Sequence, residues 1–144
     1  MSLVDFIGIT LSIILLSLGT LHIYWALSGT WGISYAVPTT NGKALFKPSS
    51  LAKIFVAQAF FTASLIVMGR IGLLIKFIQL PFIFYWGTWG IAAVFLLRTI
   101  GEFKYIGFFK RYRTSRFASL DTRFYSPLCL FIAIGAFLVN LFKI

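Results

Sequence analysis

Four long apolar stretches fill most of the 144-residue chain and leave few folds open to it. They run over Phe6–Leu27, Leu51–Gly69, Ile78–Leu97 and Pro127–Phe142. At 1.5 Å per residue the first helix would be about 33 Å long, enough to cross a hydrocarbon core of about 30 Å. The pattern predicts an all-α integral membrane protein, a single polytopic domain in which four transmembrane helices form an antiparallel bundle.

The composition agrees with a membrane location. Hydrophobic residues make up 60% of the chain and charged residues 11%, against about 45–50% and about 25% in soluble domains. A soluble domain of this size buries only about two-thirds of the surface that its unfolded chain exposes, so much apolar surface would face water. The first stretch has no basic segment before it and no small-residue cleavage site after it, so we expect it to remain as a span.

The basic residues are distributed unevenly among the connections between spans. Ten of the thirteen fall in the first and third connections: Lys43, Lys47, Lys53, Arg98, Lys104, Lys110, Arg111, Arg113, Arg116 and Arg123. Two spans separate these connections, so both lie on one side of the membrane. The positive-inside rule predicts a multi-pass cell-membrane protein with both long connections in the cytoplasm and both termini outside. We attribute the net charge of +10 to contact with anionic lipid headgroups rather than with nucleic acid.

The two basic connections carry local structural signals. In the first, Asn41-Gly42 predicts the turn of a small hairpin between Ile33–Val37 and Lys43–Phe46.

The third connection, Arg98–Tyr125, interleaves aromatic and basic side chains. This mixture predicts a partly helical amphipathic segment at the level of the lipid headgroups. Ser126 and Pro127 then have the residue types of an N-cap and a first helical position, which places the start of the fourth helix there.

Four ionisable residues from distant parts of the sequence are expected at one level of the membrane. His22 lies near the end of the first span, Arg98 and Glu102 near the matching end of the third, and Asp121 before the fourth. Ionisable groups at membrane depth are costly, so they usually pair with one another or serve a function. Glu102 could orient His22 as an acid–base pair. Alternatively, Arg98 and Glu102, four residues apart, could pair with each other, or Arg98 could receive an anionic headgroup.

The aromatic and basic residues near this level have two interpretations. Tyr24, Trp25 and Trp31 form either an interfacial aromatic belt or the wall of a binding site. Lys110 and Arg111 are either solvated charges at the membrane surface, which we favour, or the rim of a pocket.

The metal-ligating residue types are scarce. His22 is the only histidine and Cys129 the only cysteine, and there are three carboxylates. The supply of ligands is too poor for a metal site, and no cofactor is expected. A lone cysteine excludes an internal disulfide, and we expect Cys129 to be a small packed core residue.

Four blocks of the sequence resemble a known family. They are His22–Gly32, Arg98–Lys110, Phe117–Thr122 and Tyr125–Cys129. In this order they are similar to the small bacterial membrane proteins of domain-of-unknown-function family 3995. Glu102 stands where the family pattern has Asp, and Ser115 where it has Thr; both keep the chemistry of the group. The resemblance implies a four-span membrane protein without an established activity, and it supplies no catalytic residue.

Three functions are compatible with the sequence. The preferred one is the binding or handling of a small amphipathic or lipid-like ligand at the cytoplasmic membrane level. The second is an intramembrane enzyme that uses His22 and Glu102 as its acid–base pair, and the third is a small membrane subunit that docks another protein; a homo-oligomer is left open. The candidate ligand-binding residues are His22, Tyr24, Trp25, Trp31, Arg98, Glu102, Lys110, Arg111 and Asp121.

Overall fold

The computed structural model describes residues 1–143, and most of them are helical. In chain order the elements are α1 (Leu3–Ala26), α2 (Ile33–Ala36), β1 (Thr39–Thr40), β2 (Lys43–Ala44), α3 (Ser50–Arg70), α4 (Pro81–Ile100), α5 (Arg116–Leu120), a π-helical turn (Asp121–Tyr125) and α6 (Ser126–Phe142). Helices α1, α3 and α4, together with the continuous run from α5 to α6, are long and apolar enough to cross a membrane. The predicted fold class is confirmed, and the chain is a multi-pass membrane protein of the all-α class.

Local signals in the sequence fix where three of the long helices begin. The Ser2 side chain caps α1, and the Asp5 carboxylate accepts a hydrogen bond from the Ser2 N–H in return. Such a capping box satisfies backbone donors that a helix start leaves without partners. At α3 only the side chain of the cap residue acts, since the Ser49 hydroxyl accepts a hydrogen bond from the Ala52 N–H. Pro81 occupies the first turn of α4, where its missing N–H costs least.

The four spans form a ring in which each helix packs against two neighbours. Helix α1 lies between α3 and α6, and α4 lies between the same two helices on the far side. The centre of the ring is closed by buried aliphatic side chains, namely Leu11, Leu15, Val67, Ile71, Ile91, Ala92, Ile132, Ala136 and Val139. On α6, Gly135 lies so close to α1 that an added Cβ atom would come within 2.9 Å of Leu11. Small residues on α6 thus allow the helices to approach closely.

The first connection is only partly as predicted. Asn41-Gly42 forms the turn of a hairpin, but the paired strands are only two residues long. The expected extended segment at Ile33–Val37 is wrong, since residues Ile33–Ala36 form a helical turn. This turn brings Tyr35 against the fourth span, where its carbonyl oxygen accepts a hydrogen bond from the Tyr125 hydroxyl at 3.0 Å.

The fourth span begins earlier than predicted. Ser126 is not an N-cap, because the backbone is already helical from Arg116 and passes through the π-helical turn without a break. Pro127 lacks an N–H, and its ring conflicts with the carbonyl group four residues earlier in an ordinary α-helix. The wider π turn directly before it relieves this conflict. The Ser126 hydroxyl donates instead to the Asp121 carboxylate at 3.2 Å.

Tight packing between α1 and α6 makes Gly135 intolerant of a side chain. We expect Gly135→Val to lower the free energy of unfolding by about 1–3 kcal/mol, because Leu11 is wholly buried and has little room to move. Unfolding by SDS titration in mixed micelles measures this loss. The matched control is Gly90→Val, since a Cβ atom at Gly90 meets no atom of residues 1–143 within 4 Å. Equal losses for the two variants would contradict this account of the packing.

Candidate functional site

A cavity of about 840 Å³ lies at the end of the bundle that carries the two long connections. It is bounded by the ends of α1, α4 and α6 and covered by the first connection. Its wall is mostly apolar and includes the side chains of Leu21, His22, Trp25, Tyr35, Phe60, Phe95, Arg98, Phe117, Tyr125 and Cys129. We call it the aromatic cavity.

His22 lies on the wall of the aromatic cavity, one turn before the end of α1. Its Nδ1 atom is 2.8 Å from the Leu18 carbonyl oxygen. A carbonyl oxygen only accepts, so Nδ1 is the donor in this hydrogen bond. The ring packs on Trp25 and Phe60, with centroids 5.0 and 5.1 Å away. His22 is therefore held by its own helix and by aromatic neighbours.

Three of the predicted aromatic residues are joined at the edge of the cavity. The Trp25 indole N–H donates to the Trp31 carbonyl oxygen at 2.8 Å, and the Trp31 N–H donates to the Tyr24 hydroxyl at 3.2 Å. Trp25 and Trp31 line the cavity, whereas Tyr24 supports the turn from outside. These contacts fix the chain where it leaves α1.

Beside the cavity, the Asp121 carboxylate is completely buried and accepts four hydrogen bonds. Its Oδ1 atom accepts from Arg98 Nη2 at 2.8 Å and from the Ser126 hydroxyl at 3.2 Å. Its Oδ2 atom accepts from the Gly107 N–H at 2.8 Å and from Lys110 Nζ at 3.0 Å. Four donors fill the acceptor positions of a carboxylate. We call Arg98, Lys110 and Asp121 the buried charge cluster.

Lys110 belongs to this cluster and not to the membrane surface. Its side chain is buried, and Nζ donates to Asp121, to the Gly107 carbonyl oxygen at 2.9 Å and to the Thr122 hydroxyl at 2.6 Å. All three donors of the ammonium group are thus used within the protein. The interpretation of Lys110 as a solvated surface charge is wrong, because the third connection folds back and covers the Lys110 side chain.

Two glycines make this folding back possible. Gly101 and Gly107 have φ angles of +82° and +87°, which side chains rarely adopt. A Cβ atom on Gly101 would collide with the Ile106 carbonyl group, and one on Gly107 would collide with the Ile100 carbonyl oxygen. The backbone segments around Gly101 and Gly107 therefore lie close together, and the Gly107 N–H donates a hydrogen bond to the Asp121 carboxylate.

Glu102 does not join the other ionisable residues. Helix α4 ends at Ile100, and the positive φ angle of Gly101 turns the chain away. Glu102 is exposed and accepts a hydrogen bond from the Tyr105 N–H. The predicted pairing of Glu102 with Arg98 is wrong, since Arg98 binds Asp121 instead. Glu102 also lies outside the aromatic cavity that His22 lines, so the structure does not assemble the acid–base pair.

Arg111 likewise lies outside the cavity. Its side chain is exposed, and its backbone N–H donates to the Lys104 carbonyl oxygen. Of the nine candidate residues, the structure brings His22, Trp25, Trp31 and Arg98 to the aromatic cavity and places Asp121 and Lys110 directly behind Arg98.

The sequence also contained a signal for wall residues that were not predicted. Phe117, Asp121, Tyr125 and Cys129 recur at intervals of four along one continuous helical run. Residues four apart share a helix face, and this face carries both the cavity wall and the Asp121 carboxylate. Cys129 accordingly lines the cavity rather than only filling the core.

The buried charge cluster predicts a large effect of an isosteric change. Asp121→Asn removes the anion and leaves Arg98 and Lys110 without their partner. Breaking a buried ion pair in this way costs about 3–5 kcal/mol, which unfolding by SDS titration will show. Asp5→Asn is the control, because the Asp5–Lys143 pair is partly exposed at the opposite end of the bundle and should matter less. A loss no larger than that of the control would contradict the importance of the cluster.

Comparison with protein families supports the resemblance of the four sequence blocks. No curated protein and no solved structure matches the chain. The sequence profile of a family described as "Protein of unknown function (DUF3995)" matches residues 15–136, a range that includes the aromatic cavity's helices and the buried charge cluster. Because the match covers most of the 144 residues, the chain belongs to the DUF3995 family.

Proposed function

We propose that the protein binds a small amphipathic or lipid-like ligand in the aromatic cavity. The observation that carries the proposal is the cavity itself, about 840 Å³ with a mostly apolar wall that contains many aromatic rings. Ligand sites usually measure about 300–1,000 Å³ and combine an apolar lining with a few polar groups. Arg98 and His22 supply such polar groups here.

The position of the cavity favours a ligand that comes from the membrane. His22 lies near the last turn of α1 and Arg98 in the last turn of α4, and Cys129 lines the same space from the continuous run of α5 to α6. The ends of α1 and α4 correspond to the level where hydrocarbon gives way to headgroups. A ligand with an apolar chain and a polar head could lie across that boundary, with the chain among the rings. Membrane lipids with anionic headgroups would contact the exposed Lys104 and Arg111 nearby.

The structure gives less support to the enzyme alternative. An acid–base pair needs its two groups within hydrogen-bond reach of one reacting site. Glu102 is exposed outside the cavity, and Asp121 already accepts four hydrogen bonds. His22 therefore lacks the carboxylate partner that the alternative assigns to it, and binding is the function that the geometry favours. The alternative of a small subunit that docks another protein stays a prediction.

Cys129 provides a built-in reporter of ligand binding, since it is the chain's only cysteine and lines the cavity. We expect dodecanoate to slow alkylation of Cys129 by N-ethylmaleimide at least fivefold in protein reconstituted into phosphatidylcholine nanodiscs. An occupied cavity excludes the reagent. The rate is followed by mass spectrometry of the intact chain.

The control is Ile134→Cys in a Cys129→Ser background. Ile134 lies on the same helix, but its side chain is half exposed on the outer face of the bundle. Dodecanoate should leave the alkylation rate of this cysteine unchanged, because an amphiphile that is only dispersed in the bilayer does not block a position on the outer face. Equal slowing at both positions, or none at Cys129, would contradict the proposed site.

We also propose that the two long connections face the cytoplasm and both termini the outside. The support is the excess of Lys and Arg in these connections, which the positive-inside rule associates with the cytoplasm.

Labelling in intact cells tests this orientation. In a Cys129→Ser background, Asn41→Cys should resist a membrane-impermeant maleimide, because the hairpin lies inside. Lys76→Cys, in the exposed turn between α3 and α4 at the opposite end, should react readily. Cell lysis should make Asn41→Cys reactive. The reverse pattern before lysis would overturn the proposed orientation.

A further inference from the structure

We infer that the ligand carries an anionic head, a carboxylate or a phosphate monoester, and that Arg98 is the residue that recognises it. The inference rests on the proposed function and names the class of ligand that the aromatic cavity takes. Its basis is the distribution of charges and hydrogen-bond donors in the buried charge cluster.

The buried charge cluster contains one positive charge too many. Arg98 and Lys110 both contact Asp121, which supplies a single negative charge. The two other acidic residues of the chain do not compensate. Asp5 pairs with Lys143 at the opposite end of the bundle, and Glu102 is exposed and bonded within its own loop. Uncompensated charge near a low-dielectric interior is expensive and attracts a counter-ion.

The excess charge is available on Arg98 rather than on Lys110. Lys110 is wholly buried, and its three donors have partners within the protein. Arg98 gives only its Nη2 atom to Asp121. Its Nη1 atom is buried and has no hydrogen-bond partner among residues 1–143. A buried charged donor without a partner is costly, and in a native protein such a group calls for a missing partner.

The partner of Nη1 is expected to come from the aromatic cavity. Arg98 is the cluster residue that lines this cavity, while Asp121 and Lys110 lie behind it. The guanidinium group binds anionic oxygen atoms through short, charge-assisted hydrogen bonds. An anionic head beside Arg98 would neutralise the cluster, and a small rotation of the guanidinium group would let Nη1 donate to it; the apolar chain joined to that head would lie against the aromatic wall.

Ligands that share one apolar chain and differ in the head test this inference. Dodecanoate, dodecyl phosphate, dodecanol and dodecyltrimethylammonium are compared by their protection of Cys129 from alkylation in phosphatidylcholine nanodiscs. We expect the two anions to give half-maximal protection at concentrations at least tenfold lower than dodecanol does, with the cation weakest. Comparison of the two anions shows which head Arg98 prefers.

Two variants locate the effect at Arg98. Arg98→Gln should abolish the advantage of the anions, since Asp121 keeps Lys110 as its counter-ion and the fold is retained. Arg98→Lys keeps the charge and should keep part of the advantage, which separates loss of recognition from loss of structure. Arg123→Gln removes an equal charge at an exposed position outside the cavity and should behave as the unmodified protein does.

The outcomes distinguish this inference from the proposed function. If dodecanol protects Cys129 as well as dodecanoate does, or if Arg98→Gln keeps the preference for anions, the anionic head is overturned and the cavity remains a site for apolar chains. If none of the four compounds protects Cys129, the proposed function itself fails.

Discussion

The buried Asp121 carboxylate holds together the end of the bundle at which the two long connections lie. It binds Arg98 of α4, Gly107 and Lys110 of the third connection, and Ser126 at the start of α6. A charge in this position is tolerated only when hydrogen bonds and opposite charges surround it. The hydrogen bonds to this carboxylate therefore help to hold the third connection in place against α4 and α6.

Different contacts join the helices at the two ends of the bundle. At the end with the termini, Arg70 of α3 donates to Asn140 and to the Lys143 carbonyl group, and Lys143 pairs with Asp5. These partly exposed contacts join α1, α3 and α6 directly. At the other end the buried charge cluster lies beside α4. The space between the helices and the first connection is therefore lined mainly by apolar side chains. The aromatic cavity occupies that space, beside a fixed group of polar residues.

Much of the fold could be predicted from the sequence, but the buried charge cluster could be predicted only in part. The four spans were predictable because hydropathy and helix length depend on local composition, as in Phe6–Leu27. The arrangement of Lys110 was not, since a lysine in a basic, aromatic loop has the pattern of a surface charge until Gly101 and Gly107 turn the backbone. The same turn separates Glu102 from His22. Topology predicted that Arg98 and Asp121 share a level; only tertiary structure shows that they pair.

The arrangement around Asp121 has a consequence for how such a site could be selective. If Asp121 had only one basic partner, the pair would carry no net charge. The apolar cavity beside it would then have little preference among headgroups. The second cation costs stability, because Arg98 keeps a buried donor that has no hydrogen-bond partner within residues 1–143. Functional sites often retain such costs, and the rest of the structure compensates for them. Here Lys110 is the compensating group, since it secures Asp121 to the third connection, and the proposed ligand would use the part of the Arg98 guanidinium that Asp121 does not bind.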